Sequence, residues 1–273
     1  MASSAAPDLS TVSTILERLR TLRPLVHCLT NHVVKGFTAN VLLAIGAAPA
    51  MVEHPDEAEE FAGMADALLV NVGTLDEPQM AAMRRAIPAA NAAKRPWVFD
   101  PVAVGPLGIR TRFAAEILAH RPTVIRGNAS EILALAGLAG GGRGVDSGAQ
   151  SAAARDAART LARATGGAVL VTGQTDYILT AEREIAVANG HALLTRVTGV
   201  GCAMGAINAA CAAVTKSPLE ASVATAVLLG IAGERAALQT SRPGSFQVAL
   251  LDALDALDAH AIRAHGRISE QRS

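Results

Sequence analysis

Hydrophobic residues form short uninterrupted runs that alternate with longer segments in which apolar positions recur at helical spacing. The short runs are typical of buried strands, and they lie at Leu25–Leu29, Ala48–Val52, Ala67–Asn71, Trp97–Phe99, Val124–Arg126 and Ala168–Val171. The longer segments predict helices at Lys35–Ile45, Asp56–Met64, Pro78–Lys94, Arg110–Ala119, Ala129–Ala136 and Ser151–Ala164. Strands that are apolar throughout and separated by helices indicate a parallel sheet covered on both faces.

The C-terminal part of the pattern predicts a small antiparallel hairpin and then helices only. The hairpin lies at Tyr177–Thr180 and Glu184–Ala188, and the helices lie at Gly201–Val214, Leu219–Gln239 and Phe246–Ala261. The fold class is therefore α/β, a three-layer α/β/α sandwich with a mostly parallel central sheet. Since no internal repeat is present, we expect one domain over residues 1–273. We also expect a flexible loop at 137–148 and disordered tails at 1–10 and 266–273.

The residues that follow the predicted strands are polar and rich in glycine. In an open α/β sheet, ligands bind beyond the carboxyl ends of the strands, so these residues are candidates for a site. They are Thr30-Asn31, Glu53, Gly73-Thr74, Asp100-Pro101, Gly127-Asn128 and Thr172-Gly173. Their chemistry favours a phosphate and metal site over a hydrophobic groove.

A glycine-rich segment, Val197–Cys202, comes directly before a strongly apolar helical pattern. Backbone N–H groups at such a helix start favour an anion, and glycines let a phosphate approach closely. A plain turn in which Thr198 caps the helix explains the same segment equally well. The segment is no Walker A motif, and Met204 occupies the position of the last glycine in a dinucleotide-binding GxGxxG motif.

Two acids and one arginine stand at predicted strand ends. Asp100 is well placed to hold Mg²⁺, although an Asx-turn or a helix cap would also explain it. Glu131 lies three residues after Asn128, which is the spacing of a capping box and is compatible with metal binding by the same carboxylate. Arg126 ends an apolar strand, where a guanidinium needs an anionic partner.

The cysteines and histidines give fewer indications of chemistry. Cys28, Cys202 and Cys211 form no CxxC pair and no disulfide framework, which indicates a reducing compartment. Cys202 stands at a predicted helix start, where the pKa of a thiol tends to fall. A Cys–His nucleophile is an alternative, but no spacing identifies a base, and the seven histidines match no metal motif.

Charge and composition narrow the class of protein. The 24 basic and 24 acidic residues balance, which is not the electrostatic footprint of a nucleic-acid-binding protein. The first ten residues lack the basic and apolar regions of a signal peptide. The uncharged stretch Val197–Thr215 contains too many glycines and polar residues for a membrane span, and we interpret it as a buried helix. We therefore expect a cytoplasmic protein that binds neither nucleic acid nor membrane.

An ordered set of motifs over roughly residues 23–262 resembles the hydroxyethylthiazole kinase family of the ribokinase-like superfamily. The motifs are Cys28–Asn31, Phe37–Asn40, Leu42–Met51, Asn71–Leu75, Asp100–Val102, Arg126–Asn128 with Glu131, Thr172-Gly173, Asn189–His191, Val197–Gly199 with Gly201-Cys202, and Pro243–Phe246. The resemblance implies phosphorylation of the hydroxyl group of 4-methyl-5-(2-hydroxyethyl)thiazole with ATP and Mg²⁺, a salvage step in thiamine diphosphate biosynthesis.

The resemblance also implies a role for particular residues. It implies that the thiazole is bound by Met51, Gly199 and Asn31. It further implies that ATP is bound by Arg126 and Thr172, and Mg²⁺ by Asp100 and Glu131. Gly199, Gly201 and Cys202 would form the catalytic helix start. Most of the superfamily carries aspartate where this chain has Cys202, and cysteine is familiar in thiazole kinases, so the residue favours that branch.

The resemblance further implies a homotrimer whose sites lie near the subunit interfaces. Two other functions on the same fold remain alternatives. One is a hydratase-type lyase that uses ADP or ATP, and the other is a nucleotide-binding module without catalysis, which only Cys202 favours. The TN…FTAN segment and the presence of Asp100, Glu131 and Arg126 argue against both.

Overall fold

The structure, a computed structural model, describes residues 7–138 and 147–271. Its helices are α1 (Leu9–Leu22), α2 (Lys35–Ile45), α3 (Pro55–Met64), α4 (Glu77–Ala92), α5 (Gly108–Leu118), α6 (Ala129–Leu135), α7 (Ser147–Thr165), α8 (Val200–Val214), α9 (Pro218–Gln239), α10 (Pro243–Asp255) and α11 (Ala259–His265). Its strands are β1 (Leu25–Leu29), β2 (Ala48–Ala50), β3 (Ala67–Asn71), β4 (Trp97–Asp100), β5 (Val124–Asn128), β6 (Ala168–Thr172), β7 (Asp176–Leu179), β8 (Glu184–Val187) and β9 (Ile268–Gln271).

All nine strands belong to one sheet in the order β2-β1-β3-β4-β5-β6-β7-β8-β9. The strands from β2 to β6 pair in parallel, and β7, β8 and β9 extend the sheet in antiparallel pairing. One face packs against α1, α2 and α8–α11, and the other against α3–α7. The predicted three-layer sandwich with a mostly parallel sheet is confirmed.

Two elements at the ends of the chain differ from the sequence expectation. Residues 268–271 pair with β8 as strand β9, and α1 begins at Leu9, so the predicted disordered tails are wrong at these residues. The strand carries polar residues at an edge and therefore has no apolar run to reveal it. Helix α1 has a readable signal, because its buried residues Val12, Ile15, Leu16 and Leu19 follow helical spacing.

Other differences concern element boundaries. The helix predicted at Phe246–Ala261 is two helices, since the Asp258 carboxylate accepts a hydrogen bond from the backbone N–H of Ala261 and starts α11. The strand predicted to reach Val52 ends at Ala50. Of the loop predicted at 137–148, residues 139–146 lie outside the described residues, and α7 already begins at Ser147.

One helix among the described residues, α9, is long and apolar enough to cross a membrane, but 78% of the window that passes this test is buried inside the fold. The stretch Val197–Thr215 contains α8, which is shorter and equally enclosed. Both helices are rich in alanine and pack against each other and against the sheet. Their apolar character is therefore accounted for by the core.

Candidate active site

The carboxyl ends of neighbouring parallel strands bring the predicted polar residues into one row. Asn71 at the end of β3 is in register with Asp100 at the end of β4, and Asn128 of β5 is in register with Thr172 of β6. Asn31 follows β1 on the other side of β3. Side chains that lie far apart in sequence therefore meet at one edge of the sheet.

Asp100 lies at the centre of this row and is fully buried. Its Oδ2 accepts a hydrogen bond from Asn71 Nδ2 at 2.6 Å, which is a contact between neighbouring strands and not the local backbone bond of an Asx-turn. Its Oδ1 has no hydrogen-bond partner and lies 3.5 Å from Nη1 of Arg126. Burial raises the pKa of Asp100 to about 7 against the opposing effect of the Arg126 guanidinium. The free oxygen of a buried carboxylate is the main feature that a bound cation would satisfy.

Arg126 has the anionic partner that the sequence required, Asp100. Its Nη2 donates to Thr172 Oγ1 at 3.2 Å, while its buried Nε has no partner. A Cβ atom at Gly201 would lie 3.1 Å from both terminal nitrogens, so the absence of a side chain there lets the start of α8 approach the guanidinium. The guanidinium and the helix start together favour an anion.

Glu131 forms the predicted capping box at the start of α6. Asn128 Oδ1 accepts from the backbone N–H of Glu131, and Glu131 Oε2 accepts from the backbone N–H of Asn128 at 2.9 Å. The other oxygen, Oε1, accepts from the backbone N–H of Ala103 at 3.1 Å. Each carboxylate oxygen can accept a second bond, so Glu131 keeps capacity for a metal-bound water.

Helix α8 begins at Gly199 without a capping side chain, so the alternative of a Thr198 cap is wrong. Gly199 has a φ of 93°, and a Cβ atom there would lie 2.5 Å from Cγ1 of Val34. Glycine is therefore required both by the backbone conformation and by the contact with Val34. The first N–H groups of a helix have no acceptor within the helix, and here they remain available to a ligand.

Cys202 is partly exposed in the first turn of α8, and its Sγ accepts a hydrogen bond from Asn31 Nδ2 at 3.1 Å. Burial raises the pKa of its thiol, and the Asp100 carboxylate raises it further. The expectation that the helix start lowers this pKa is therefore wrong. The groups that act on the thiol also include Asn71 and Arg126 but no histidine, which argues against a Cys–His nucleophile.

Met51 follows β2, the edge strand that pairs with β1, and packs partly buried against the core. The next residues are held by their neighbours, because the Val52 carbonyl is 2.7 Å from Nε2 of the buried His27, and Glu53 is ion-paired with Lys35. The place of Met51 in the site stays a prediction.

Sequence reasoning gave no role to two residues that shape the site. Asn71 connects Asp100 to Asn31. Asp176 accepts from the backbone N–H of Gly173 at 3.0 Å and thereby fixes the turn after Thr172, and burial raises its pKa to about 6. A polar residue that ends an apolar strand was the available signal for Asn71. No comparable signal marks Asp176, since its partner is a backbone group.

No group of three or more His, Cys, Asp or Glu side chains that could hold a metal ion occurs within residues 7–138 and 147–271. This finding suits Mg²⁺, which is bound through one or two carboxylates, waters and substrate phosphates rather than by a protein cage. Asp100 Oδ1 and the remaining capacity of Glu131 fit such a site. A structural metal site with several protein ligands does not fit these residues.

A cleft of about 840 Å³ lies at the opposite, amino-terminal edge of the sheet. It is lined by residues that precede β3, β4 and β5 and by the C-terminal ends of α4 and α8, among them Arg18, Asp66, Lys94, Arg95 and Lys216. Size alone would favour it as a ligand site. The strand-end cluster is the better candidate, because there the buried, unpartnered Asp100 Oδ1 and Arg126 Nε belong to one ion pair beside the start of α8.

The comparisons with known proteins agree with the family that the motifs indicated. The hydroxyethylthiazole kinase family matches residues 16–260. A hydroxyethylthiazole kinase of Cronobacter sakazakii is 58% identical over 89% of this chain and 91% of its own, and one of Granulibacter bethesdensis is 54% identical over 93% and 92%.

Solved structures support the same assignment. The hydroxyethylthiazole kinase protein of Pyrococcus horikoshii has a TM-score of 0.89 and 40% identity, covering 96% of this chain and 100% of its own. A pyridoxal kinase of Staphylococcus aureus in complex with ADP has a TM-score of 0.63 at 15% identity, covering 90% and 98%, and shows the shared ribokinase-like fold alone. Given the family match, the identities and this structural likeness, the chain belongs to the hydroxyethylthiazole kinase family.

Proposed function

We propose that this chain is the kinase that transfers the γ-phosphoryl group of ATP to the hydroxyl group of 4-methyl-5-(2-hydroxyethyl)thiazole, a salvage step in thiamine diphosphate biosynthesis. The observation that carries the proposal is the buried Asp100–Arg126 pair beside the uncapped glycine-rich start of α8, in a chain of this family. Phosphoryl transfer rests on positioning and on neutralising charge, for which a guanidinium, a carboxylate and free backbone N–H groups are suited.

ATP would lie with its phosphates against Arg126, Thr172 and the first turn of α8. Arg126 already donates from Nη2 to Thr172 Oγ1, which orients a partly exposed guanidinium, and its other N–H groups allow it to bind phosphate oxygens as well. Mg²⁺, held by Asp100 and through water by Glu131, would neutralise charge on the phosphates. The positive φ and the tight packing of Gly199 keep the backbone of the helix start fixed for this purpose.

The thiazole would lie on the β1 side of the helix start, near Asn31, Met51 and Gly199. Its hydroxyl oxygen attacks the γ-phosphorus, the bond from phosphorus to the ADP oxygen breaks, and the hydroxyl proton passes to water. Because burial raises the pKa of Cys202, its thiol is protonated at neutral pH and orients the hydroxyl rather than accepting its proton. A strong base is not needed, since the attacking oxygen gains little positive charge until late in a loose transition state.

The proposal includes a homotrimer with the sites near the interfaces. Apolar side chains that are exposed on α2 and just before it support it, with Val33 at 70% and Leu43 at 54% exposure. Val248 of α10, which packs beside α2, is 61% exposed as well. Exposed apolar side chains that lie together are typical of interaction surfaces. Sedimentation at working concentration tests this point, and an active monomer would contradict it.

A coupled assay of ADP release with hydroxyethylthiazole tests the proposed reaction. We expect ADP release that requires the thiazole, ceases in EDTA and returns with added Mg²⁺. Release with other alcohols but not with the thiazole would reject the substrate. Nucleotide binding without turnover of any alcohol would favour the non-catalytic module, and a dehydration product would favour the lyase.

A further inference from the structure

Asn71 is a fully buried residue with hydrogen bonds to three parts of the site. Its Nδ2 donates to Asp100 Oδ2 at 2.6 Å. Its Oδ1 accepts from the backbone N–H of Gly73 at 2.9 Å and from Asn31 Nδ2 at 3.2 Å. Asn31 Nδ2 also donates to Cys202 Sγ at 3.1 Å. One continuous chain of hydrogen bonds therefore runs from the carboxylate to the thiol.

The direction of every bond in this chain follows from one backbone group. The N–H of Gly73 can only donate, so the oxygen of the Asn71 amide must face it, and its NH₂ group must face Asp100. The amide of Asn31 must then present its NH₂ group to the oxygen of Asn71. The second hydrogen of that NH₂ group points at Cys202, so the sulfur is an acceptor and its own proton is directed away from Asn31.

We propose that Asn71 is a positioning residue, which sets the donor and acceptor directions of both halves of the site. On the β4 side, it occupies Oδ2 of Asp100 and leaves Oδ1 toward Arg126. On the β1 side, it fixes the amide of Asn31, the residue we place at the thiazole. This inference rests on the proposed function and deepens it, since the two halves serve the two substrates.

Two substitutions affect the halves differently. In Asn71→Asp, the oxygens of the introduced side chain can still accept from Gly73 and Asn31, but an acidic group replaces the amide NH₂ group that donates to Asp100. In Asn71→Ser, no acidic group is added, but the shorter side chain reaches neither Asp100 Oδ2 nor Asn31, whose amide is then free to turn.

The experiment measures kcat and, by calorimetry without ATP or metal, the dissociation constant of hydroxyethylthiazole. We expect Asn71→Asp to lower kcat by about 1,000-fold, the upper range for a lost electrostatic group, with thiazole binding within about 3-fold of wild type. We expect Asn71→Ser to weaken thiazole binding by about 10-fold, the effect of one hydrogen bond, and to lower kcat less than Asn71→Asp does.

Asn208→Ser is the matched control, since Asn208 is also fully buried and its Nδ2 donates to Ser222 Oγ between α8 and α9. We expect it to lower the melting temperature and to leave thiazole binding unchanged. A packing role for Asn71 predicts the reverse order, because Asp preserves the shape of Asn better than Ser does. A smaller loss of kcat in Asn71→Asp than in Asn71→Ser would therefore overturn the proposal.

Action through Asn31 has its own test, which avoids any variant that adds a buried charge. We expect Asn31→Ser and the double variant Asn31→Ser/Asn71→Ser to bind the thiazole equally weakly. Additive losses in the double variant would overturn the proposal for the β1 side. The wild-type protein tests the proposed function separately from the variants. If the wild-type protein neither binds nor phosphorylates the thiazole, the proposed function itself is rejected.

Discussion

Each edge of the sheet carries one Asp–Arg pair with a separation of 3.5 Å, and the two pairs lie in opposite environments. At the carboxyl edge, the side chains of Asp100 and Arg126 are 0% and 12% exposed. At the amino-terminal edge, those of Asp66 and Arg95 are 46% and 38% exposed. Distance alone does not distinguish the pairs. Burial does, because solvent screens the second pair and leaves the first to act on its neighbours.

The neighbours of the two pairs differ accordingly. Around Asp100 stand other buried polar groups with restricted partners, so each one determines how the next is oriented. Around Asp66, the cleft is lined by Lys94 and Lys216, which come just after the C-terminal ends of α4 and α8. Cations at such ends are favourable for the helix dipole. The cleft therefore has an ordinary structural explanation, and the strand-end cluster does not.

The largest expected effect comes from breaking the buried pair at the carboxylate. Asp100→Asn should lower kcat by about 1,000-fold, because the group that we propose to hold Mg²⁺ at the phosphates loses its charge. The dissociation constant of the thiazole should change little. The matched control is Asp66→Asn, which should keep kcat within about 2-fold, as for an exposed pair. Near-normal turnover of Asp100→Asn at saturating Mg²⁺ would reject the metal assignment.

Breaking the same pair at the cation should have the next largest effect. Arg126→Ala should raise the KM for ATP and lower kcat/KM by about 100-fold, and Arg126→Lys should restore little, since an ammonium does not bind two phosphate oxygens in a fixed plane. Steady-state kinetics with varied ATP measure both. If the pair only supports the fold, Arg126→Ala will instead lower the melting temperature and leave the ATP dependence unchanged.

Substitutions of Cys202 show how much its side chain contributes to kcat beyond the backbone of the α8 helix start. Cys202→Ala should lower kcat by about 10–100-fold, the effect of losing an orienting hydrogen bond, because the backbone of the helix start remains in place. Cys202→Asp should keep activity. Mass spectrometry of the protein during turnover should find no phosphocysteine. Complete loss of activity in the alanine variant, with ATP and thiazole still bound, would contradict this role.

Glu131→Gln should have a smaller effect, a loss of kcat of about 10-fold, at the low end for a hydrogen bond to a charged group. The amide oxygen can replace one carboxylate acceptor of the capping box, but the charge near the phosphates is lost. Increasing Mg²⁺ should recover part of the rate. A rate that no concentration of Mg²⁺ improves, together with a lower melting temperature, would assign Glu131 to the helix cap alone.

The smallest effect is expected at the amino-terminal edge. Arg95→Ala should change the free energy of unfolding by about 0–1 kcal/mol, the range for an exposed ion pair, and should leave kcat and both KM values unchanged. Chemical denaturation and steady-state kinetics check these two points. A clear loss of activity would show that the two edges of the sheet are coupled. It would also show that the cations of the cleft do more than stabilise the C-terminal ends of α4 and α8.

Much of the fold could be predicted because it depends on local patterns. The apolar runs of β1, β3, β4, β5 and β6 and the helices between them are visible in the sequence, since burial on both faces leaves little choice of residue. The polar edge strand β9 has no such constraint and was missed. The residues after the strands could likewise be identified, because the ends of parallel strands share one edge of the sheet.

The sequence by itself therefore identified most of the polar residues at the carboxyl edge of the sheet, but not Asn71 or Asp176, together with the glycines that the start of α8 requires. Only the tertiary structure decided how those residues pair. Asn71 and Asp100 are 29 positions apart, and Asn31 and Cys202 are 171 positions apart, so no local spacing encodes either contact. The tertiary structure also determined the protonation state of Cys202, because burial and the nearby Asp100 carboxylate raise the pKa of its thiol. The direction of a hydrogen bond and the desolvation of a side chain both depend on the residues that surround it in space, and these residues become neighbours only when the chain folds.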